Sequence, residues 1–101
     1  MKVLFVCNQG MNRSRTAAEL FRDRFETRYA GLYSEHPVSA KDLDWADLIV
    51  AMDDEQRREL LKRFPKECLR KRLLSMNVPD IYRFQQPELV LSLRSKAEVL
   101  E

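Results

Sequence analysis

A cysteine, an arginine and a serine near the start of the chain have the residue types and spacing for phosphate chemistry. Cys7 is followed by five residues and then by Arg13 and Ser14. A thiolate is a strong nucleophile, and a guanidinium group can bind two oxygens of a phosphate at once. Ser14 can donate a hydrogen bond to the thiolate and so stabilise it, both as nucleophile and as leaving group. The pattern therefore predicts a cysteine that attacks a phosphoryl group.

The residues that follow Cys7 are expected to form the loop that binds this group. In order they are Asn8, Gln9, Gly10, Met11, Asn12, Arg13 and Ser14, and we refer to them as the phosphate loop. A short loop that leads into a helix turns backbone N–H groups towards one centre, and the helix N-terminus adds partial positive charge there. The same field favours the thiolate form of a cysteine at the edge of the loop.

The sequence around the phosphate loop predicts a buried strand before it and a helix after it. Residues 3–6 form a continuous apolar run, which is typical of a parallel strand covered on both faces. Strand 1 is expected to end at Cys7, and a helix is expected to run from Ser14 to a stop at Gly31. Its apolar residues recur at helical spacing, at Ala18, Phe21, Phe25 and Tyr29.

The rest of the chain repeats the alternation of strands and helices. We expect strands at 32–34, 48–52 and 72–76, a short helical turn bounded by Asp44 or Asp47, a helix at 53–64 ended by Pro65, and a last helix from Pro87 to Leu100. This order predicts a doubly wound α/β fold with a mainly parallel four-stranded sheet flanked by helices. We expect residues 1–101 to form a single domain, since the chain is too short for two cores.

Polar residues follow two further strands of this predicted sheet. Asp53 and Asp54 come directly after residues 48–52, and both are expected to start the next helix. Asp80 lies in a loop after the last strand. Because ligands in such folds bind beyond the carboxyl ends of the strands, Cys7, Asp53 and the loop around Asp80 should share one rim.

These motifs resemble the low-molecular-weight protein tyrosine phosphatases, whose signature is a cysteine, five residues, an arginine and a serine or threonine. Within that family the chain is most similar to the short predicted tyrosine phosphatases of prokaryotes. Residues 46–53 resemble the strand before a methionine-aspartate pair in the family, and Asp80-Ile81-Tyr82 stands where the family has Asp-Pro-Tyr. The resemblance implies that Asp80 is the general acid and then the base, that Tyr82 lines the substrate pocket, and that no metal or cofactor takes part.

The main prediction is hydrolysis of aryl phosphate monoesters, including protein phosphotyrosine, through a phosphocysteine intermediate. Three alternatives stay open. Arsenate reduction would need a further thiol, and Cys68 is the only other one in the sequence. A phosphocarrier also places a cysteine after its first strand, but it does not need the clamp of Arg13. A non-catalytic module that binds phosphate or nucleic acid stays open because Gln9 and Gly10 stand where the family usually has Gly and Asn.

The composition of the chain limits the partners and the cellular location that we expect. The net charge of +2 is too small to indicate nucleic acid, and the basic residues between 57 and 72 are best interpreted as the solvated face of a helix. The longest apolar runs are too short for a membrane span, and the N-terminus lacks the pattern of a signal peptide. We expect a cytoplasmic protein whose partner is a phosphorylated protein or a small aryl phosphate, with neither a membrane nor nucleic acid involved.

Overall fold

The computed structural model describes residues 1–100, and its centre is a sheet of four strands in the order β2-β1-β3-β4. The strands are β1 (Lys2–Cys7), β2 (Glu26–Gly31), β3 (Leu48–Ala51) and β4 (Arg72–Ser75). Every neighbouring pair is parallel. All residues of β3 are buried, as are the last five of β1, because helices cover both faces of these central strands. The predicted doubly wound, four-stranded α/β fold is confirmed.

Five α-helices cover the two faces of this sheet. On one face, α1 (Arg13–Leu20) and α5 (Pro87–Ser95) pack against Val3 and Phe5. On the other face, α2 (Ala40–Trp45), α3 (Asp54–Arg63) and α4 (Pro65–Leu69) pack against Leu4 and Val6. A short 3-10 helix, Ala97–Leu100, follows α5. Within residues 1–100, no helix has the length and apolar character needed to cross a membrane.

The strand order places a cleft at the carboxyl end of β1. The chain leaves β1 towards β2 on one side, and it later returns to form β3 on the other side of β1. Connections that diverge from neighbouring strands leave an open crevice between them, which is where doubly wound proteins bind ligands. Cys7 ends β1, Asp53 follows β3, and the segment that contains Asp80 follows β4, so all three lie at this edge, as expected from the sequence.

The predicted first helix is too long, because its last third is strand β2. The helix ends at Leu20, the chain turns over residues 21–25, and Glu26–Gly31 then pairs with Lys2–Cys7. Phe25 still packs against the core and its N–H donates to the carbonyl of Phe21 at 3.0 Å in this turn, whereas Tyr29 is 47% exposed. Gly31 ends β2 rather than a helix. The backbone N–H and C=O groups of residues 26–31 form hydrogen bonds along the whole of β1. No local pattern in the sequence indicates this pairing.

Three other expected boundaries also differ. Residues 32–34 form bends after β2 and not a strand. Pro65 does follow the end of α3, but it also occupies the first turn of α4, where its fixed φ and missing N–H suit a helix start. The last helix ends at Ser95, although Leu100 still packs in the core through the 3-10 helix that follows.

Candidate active site

Cys7 ends β1, and its thiol is surrounded by groups from the phosphate loop. The residue is only 4% exposed. The backbone N–H of Gly10 donates to its Sγ at 3.1 Å, and Ser14 Oγ lies 3.0 Å from the same sulfur. These contacts suit a sulfur that carries negative charge, because both neighbours can donate a hydrogen bond to it. The side chains of Cys7 and Ser14 are therefore in contact, as expected from the sequence.

The path of the phosphate loop depends on the only two glycines in the sequence, Gly10 and Gly31. A Cβ atom on Gly31 would lie 2.5 Å from the carbonyl carbon of Gln9, and one on Gly10 would lie 2.8 Å from the nitrogen of Gly31. Gly10 also has a φ of 71°, which side chains rarely adopt. The loop therefore packs backbone against backbone on the end of β2.

Hydrogen bonds hold the start of the loop on two sides. The N–H of Leu32 donates to the carbonyl of Cys7 at 2.9 Å, and the N–H of Tyr33 donates to that of Asn8 at 2.8 Å. On the other side, Gln56 of α3 donates from Nε2 to Asn8 Oδ1 at 3.1 Å. Gln56 is 1% exposed, and its Oε1 accepts from the backbone N–H of Met52 at 2.9 Å. A buried glutamine thus connects the loop to the end of β3.

Arg13 is the most buried charged residue near the loop, at 1% exposure. Its Nη1 donates to the carbonyl oxygen of Val78 at 2.7 Å and to Asp53 Oδ2 at 3.1 Å. Its Nε lies 3.6 Å from Asp80 Oδ1. Among residues 1–100, its Nη2 is buried without any hydrogen-bond partner. An unpaired buried donor costs about 1–3 kcal/mol, so this nitrogen is a ready donor for a bound anion.

The N-terminus of α1 leaves room for the same anion. This helix carries neither a side-chain cap on its first N–H groups nor an acidic residue in its first turn. Free N–H groups and the helix dipole favour a negative ligand at such an end. Gln9, Met11 and Asn12 are the exposed residues of the loop. The backbone, Arg13 and Ser14 are therefore the parts of the loop that can hold a phosphate group.

Asp53 has a second role that its position in the sequence did not reveal. As predicted, it starts α3: its side chain accepts from the N–H of Gln56 at 2.9 Å, and Asp54 is the first helical residue. Its other carboxylate oxygen binds Arg13. The sequence gives no signal for this contact, because the two residues are 40 positions apart. Asp53 is thus committed to two structural hydrogen bonds, which leaves Asp80 as the more available acid.

Asp80 lies in residues 79–86, which we call the Asp80 loop. Its side chain is 58% exposed and faces Arg13. The neighbouring Ile81 is 73% exposed, whereas Tyr82 is half-buried and packs against the core cluster that contains Cys7. Asp80 and Tyr82 thus both belong to the segment beside the candidate site. The roles assigned to them by resemblance remain predictions.

Cys68 lies apart from this site. Its side chain belongs to the core on the α3 face of the sheet, whereas Cys7 belongs to the core on the α1 face. Burial, and to a lesser degree the charge of Glu67, raises the pKa of Cys68 above 9.0. The sheet separates the two thiols, so Cys68 is poorly placed to resolve an adduct on Cys7.

Within residues 1–100, no group of three or more His, Cys, Asp and Glu side chains is arranged to hold a metal ion. The exposed His36 lines a cavity beside Gln9 and Gly10, on the outer side of the loop. The hydrogen bond that holds it runs from Ser34 Oγ to its backbone carbonyl at 3.0 Å, away from Cys7 and Arg13. The expectation that no metal or cofactor takes part stays a prediction.

No family model and no curated protein sequence matches the chain, but many solved structures match its fold. A low-molecular-weight phosphotyrosine phosphatase from Vibrio cholerae O395 is 24% identical, with a TM-score of 0.82 over 99% of this chain and 94% of its own. The tyrosine phosphatase Wzb from Escherichia coli K30, in complex with phosphate, is 14% identical, with a TM-score of 0.80 over 98% and 94%.

A cysteine-to-serine variant of the YwlE arginine phosphatase, with a phosphorylated active-site serine, is also similar. It is 19% identical, with a TM-score of 0.76 over 99% of this chain and 95% of its own. These identities are low, but the agreement extends over nearly the whole length of each structure. The chain therefore has the fold of the low-molecular-weight protein tyrosine phosphatases.

Proposed function

We propose that the protein is a cysteine-dependent phosphatase that hydrolyses aryl phosphate monoesters, including protein phosphotyrosine, through a phosphocysteine intermediate. The observation that carries the proposal is that a buried nucleophile lies in the same loop as a buried guanidinium nitrogen without a hydrogen-bond partner among residues 1–100. Cys7 Sγ accepts a hydrogen bond from the N–H of Gly10, while Arg13 Nη2 is buried with no hydrogen-bond partner among residues 1–100. A phosphate bound by the loop would supply the missing acceptor and place its phosphorus beside the sulfur.

In the first step, the Cys7 thiolate attacks phosphorus in line with the aryl oxygen. The P–S bond forms, the P–O bond breaks, and Asp80 gives its proton to the leaving oxygen. Arg13 and the loop N–H groups hold the charge on the equatorial oxygens. In the second step, the Asp80 carboxylate takes a proton from a water molecule while the oxygen of that water attacks phosphorus. The P–S bond then breaks, inorganic phosphate leaves, and the Cys7 thiolate accepts a hydrogen bond from Ser14 again.

Two exposed apolar side chains favour an aromatic leaving group. Met11 in the phosphate loop is 63% exposed, and Ile81, next to Asp80, is 73% exposed. They lie on the two segments that bound the site, where they could cover the faces of an aryl ring. The phosphorylated substrate is accordingly a protein or a small aryl phosphate. We infer a cytosolic location, because the nucleophilic thiol must stay reduced to react and the cytosol is a reducing compartment.

The test is hydrolysis of p-nitrophenyl phosphate in the presence of a chelator. Wild type should turn over, and Cys7→Ala should abolish turnover. Alanine is preferable to serine, since the active-site serine of the YwlE variant carries a phosphate. For phenyl phosphate, Asp80→Asn should lower kcat/KM by about 10²-fold, which is the usual effect of a general acid. Loss of activity with the chelator, or full activity of Cys7→Ala, would contradict the proposal.

The same assay separates the other functions. Because one structural neighbour is an arginine phosphatase, a phosphoarginine peptide belongs beside a phosphotyrosine peptide, and we expect faster release of phosphate from phosphotyrosine. An inert protein that produces arsenite from arsenate and thiol would be a reductase. An inert protein that accepts a long-lived phosphate on Cys7 from a phosphohistidine donor would be a carrier. One that binds RNA or DNA without turnover would be a binding module.

A further inference from the structure

The Asp80 loop is attached to α1 by contacts that the proposed reaction does not itself require. The backbone N–H of Phe84 donates to Asn12 Oδ1 at 3.1 Å. The next N–H, that of Gln85, donates to Thr16 Oγ1 at 2.8 Å. The guanidinium of Arg15 lies over the Phe84 ring, 4.1 Å from its centroid. Three neighbouring positions of the helix that begins in the phosphate loop therefore hold one short segment of the Asp80 loop.

These contacts act together with the packing of Tyr82 against the core and a hydrogen bond from Gln85 Nε2 to Glu19 Oε2 at 3.3 Å to fix the path of the loop. Residues 79–86 contain no helix or strand, and Gln85 has a φ of 56°, which is unusual for a residue with a side chain. At its upstream end the segment is held by Val78, whose N–H donates to the carbonyl of Met52 at 2.7 Å. Asp80 lies between this attachment and the one on α1.

Packing holds the side chain of Asp80 only weakly, since it is 58% exposed. Its carboxylate approaches the guanidinium of Arg13 at 3.6 Å. A general acid must come within about 2.6–3.2 Å of the oxygen that it protonates. A displacement of about 1 Å can cost about 10²-fold in rate. The position of the carboxyl group therefore depends on both attachments of the loop.

We propose that Asn12 and Thr16 are positioning residues, which hold the Asp80 loop so that Asp80 reaches the leaving oxygen. This inference rests on the proposed function. Thr16 is 1% exposed, so its hydroxyl is shielded from water and directed at one backbone N–H. Asn12 belongs to the phosphate loop, so its side-chain amide connects the loop that contains Asp80 to the loop that binds the phosphate. Neither side chain is proposed to touch the substrate.

The distinguishing readout is the dependence of kcat/KM on the leaving group. 2,4-Dinitrophenolate leaves readily without a proton, whereas phenolate needs one. A variant that misplaces only Asp80 should therefore lose activity on phenyl phosphate and keep it on 2,4-dinitrophenyl phosphate. A variant that damages the phosphate loop or the fold should lose activity on both esters. The ratio of the two kcat/KM values separates positioning of the acid from structural damage.

The decisive variant is Thr16→Val, which has nearly the same shape but no hydroxyl. We expect kcat/KM for phenyl phosphate to fall by about 10-fold or more, with less than about a twofold change for 2,4-dinitrophenyl phosphate. Asn12→Ala should change the ratio in the same direction. Thr16→Ser keeps the acceptor and should retain most of the activity. The matched control is Thr27→Val, since Thr27 Oγ1 donates to the carbonyl of Ala18 at 2.7 Å, at the far end of the same helix.

A second test combines Thr16→Val with Asp80→Asn. If Thr16 acts through Asp80, the double variant should hydrolyse phenyl phosphate as fast as Asp80→Asn alone. Equal losses of Thr16→Val on both esters, or additive losses in the double variant, would overturn the inference while the proposed phosphatase function stands. A wild-type protein that hydrolyses neither ester would overturn both. Inhibition by inorganic phosphate, unchanged within about twofold, would show that the phosphate loop of each variant is intact.

Discussion

The close contact between Gly31 and the phosphate loop predicts that one added methyl group should disable the site. In Gly31→Ala, the new Cβ would lie 2.5 Å from the carbonyl carbon of Gln9 and 2.7 Å from its oxygen. To reach ordinary contact, the backbone of Gln9 must move by about 0.9 Å, since interiors are too closely packed to absorb the clash. Gly31 has no positive φ, so the effect of alanine there is purely steric.

A shift of this size at the loop is expected to lower kcat/KM by about 10²-fold, because the Gly10 N–H and the helix N-terminus would no longer converge on one centre. Overpacking should also lower the free energy of unfolding by about 1–3 kcal/mol. The assay is steady-state hydrolysis of p-nitrophenyl phosphate, together with inhibition by inorganic phosphate and a urea unfolding curve. Both catalysis and phosphate affinity should fall.

Ile49→Val is the matched control for loss of stability. Ile49 is fully buried in β3 and belongs to the core on the face opposite to Cys7. The smaller side chain should cost about 0.5–1.5 kcal/mol of stability without moving the loop. We therefore expect wild-type kcat/KM for this control well below its unfolding temperature. If Gly31→Ala retained kcat/KM within about twofold of wild type, the inferred rigidity of the loop would be wrong.

Three further predictions concern buried polar groups. Gln56→Met should lower the free energy of unfolding by about 1–3 kcal/mol in urea, because Asn8 and the N–H of Met52 lose their partner; a change below about 0.5 kcal/mol would contradict this role. Arg13→Lys should weaken inhibition by phosphate at least about 10-fold, since an ammonium cannot reproduce the guanidinium contacts, and equal inhibition would refute the anion site. Because burial raises the pKa of Cys68, the native state binds this proton more tightly than the unfolded chain. Stability should therefore fall as pH rises beyond 9.0, and Cys68→Ala should show a shallower decline in Tm while keeping its activity; an unchanged decline would exclude Cys68 as its cause.

The sequence was sufficient to predict β1, β3 and the helix that follows the phosphate loop. Residues 3–6 and 48–51 are apolar throughout, which is typical of a strand covered on both faces, and the polar loop after Cys7 marks the change from strand to helix. Strand β2 was missed because Phe21, Phe25 and Tyr29 are four residues apart, as in a helix. Its identity as a strand comes from pairing with β1, which is a property of the tertiary structure.

The residues that support the site were harder to predict. The motif identifies Cys7 and Arg13 from local spacing alone. The contacts of Arg13 with Asp53 and of Thr16 with Gln85 join segments 40 and 69 residues apart, so they depend on how the strands are ordered. The role of Gly31 likewise follows from the closeness of Gly10, which only the pairing of β1 with β2 produces.

The most direct test of the central claim is to trap the phosphoenzyme. Asp80→Asn should slow hydrolysis of the intermediate, since it removes the base that activates water. When this variant is quenched with denaturant during turnover of 2,4-dinitrophenyl phosphate, mass spectrometry should find one phosphoryl group on Cys7, and Cys7→Ala should carry none. Turnover without a phosphoenzyme, or with the phosphoryl group on another residue, would contradict the account.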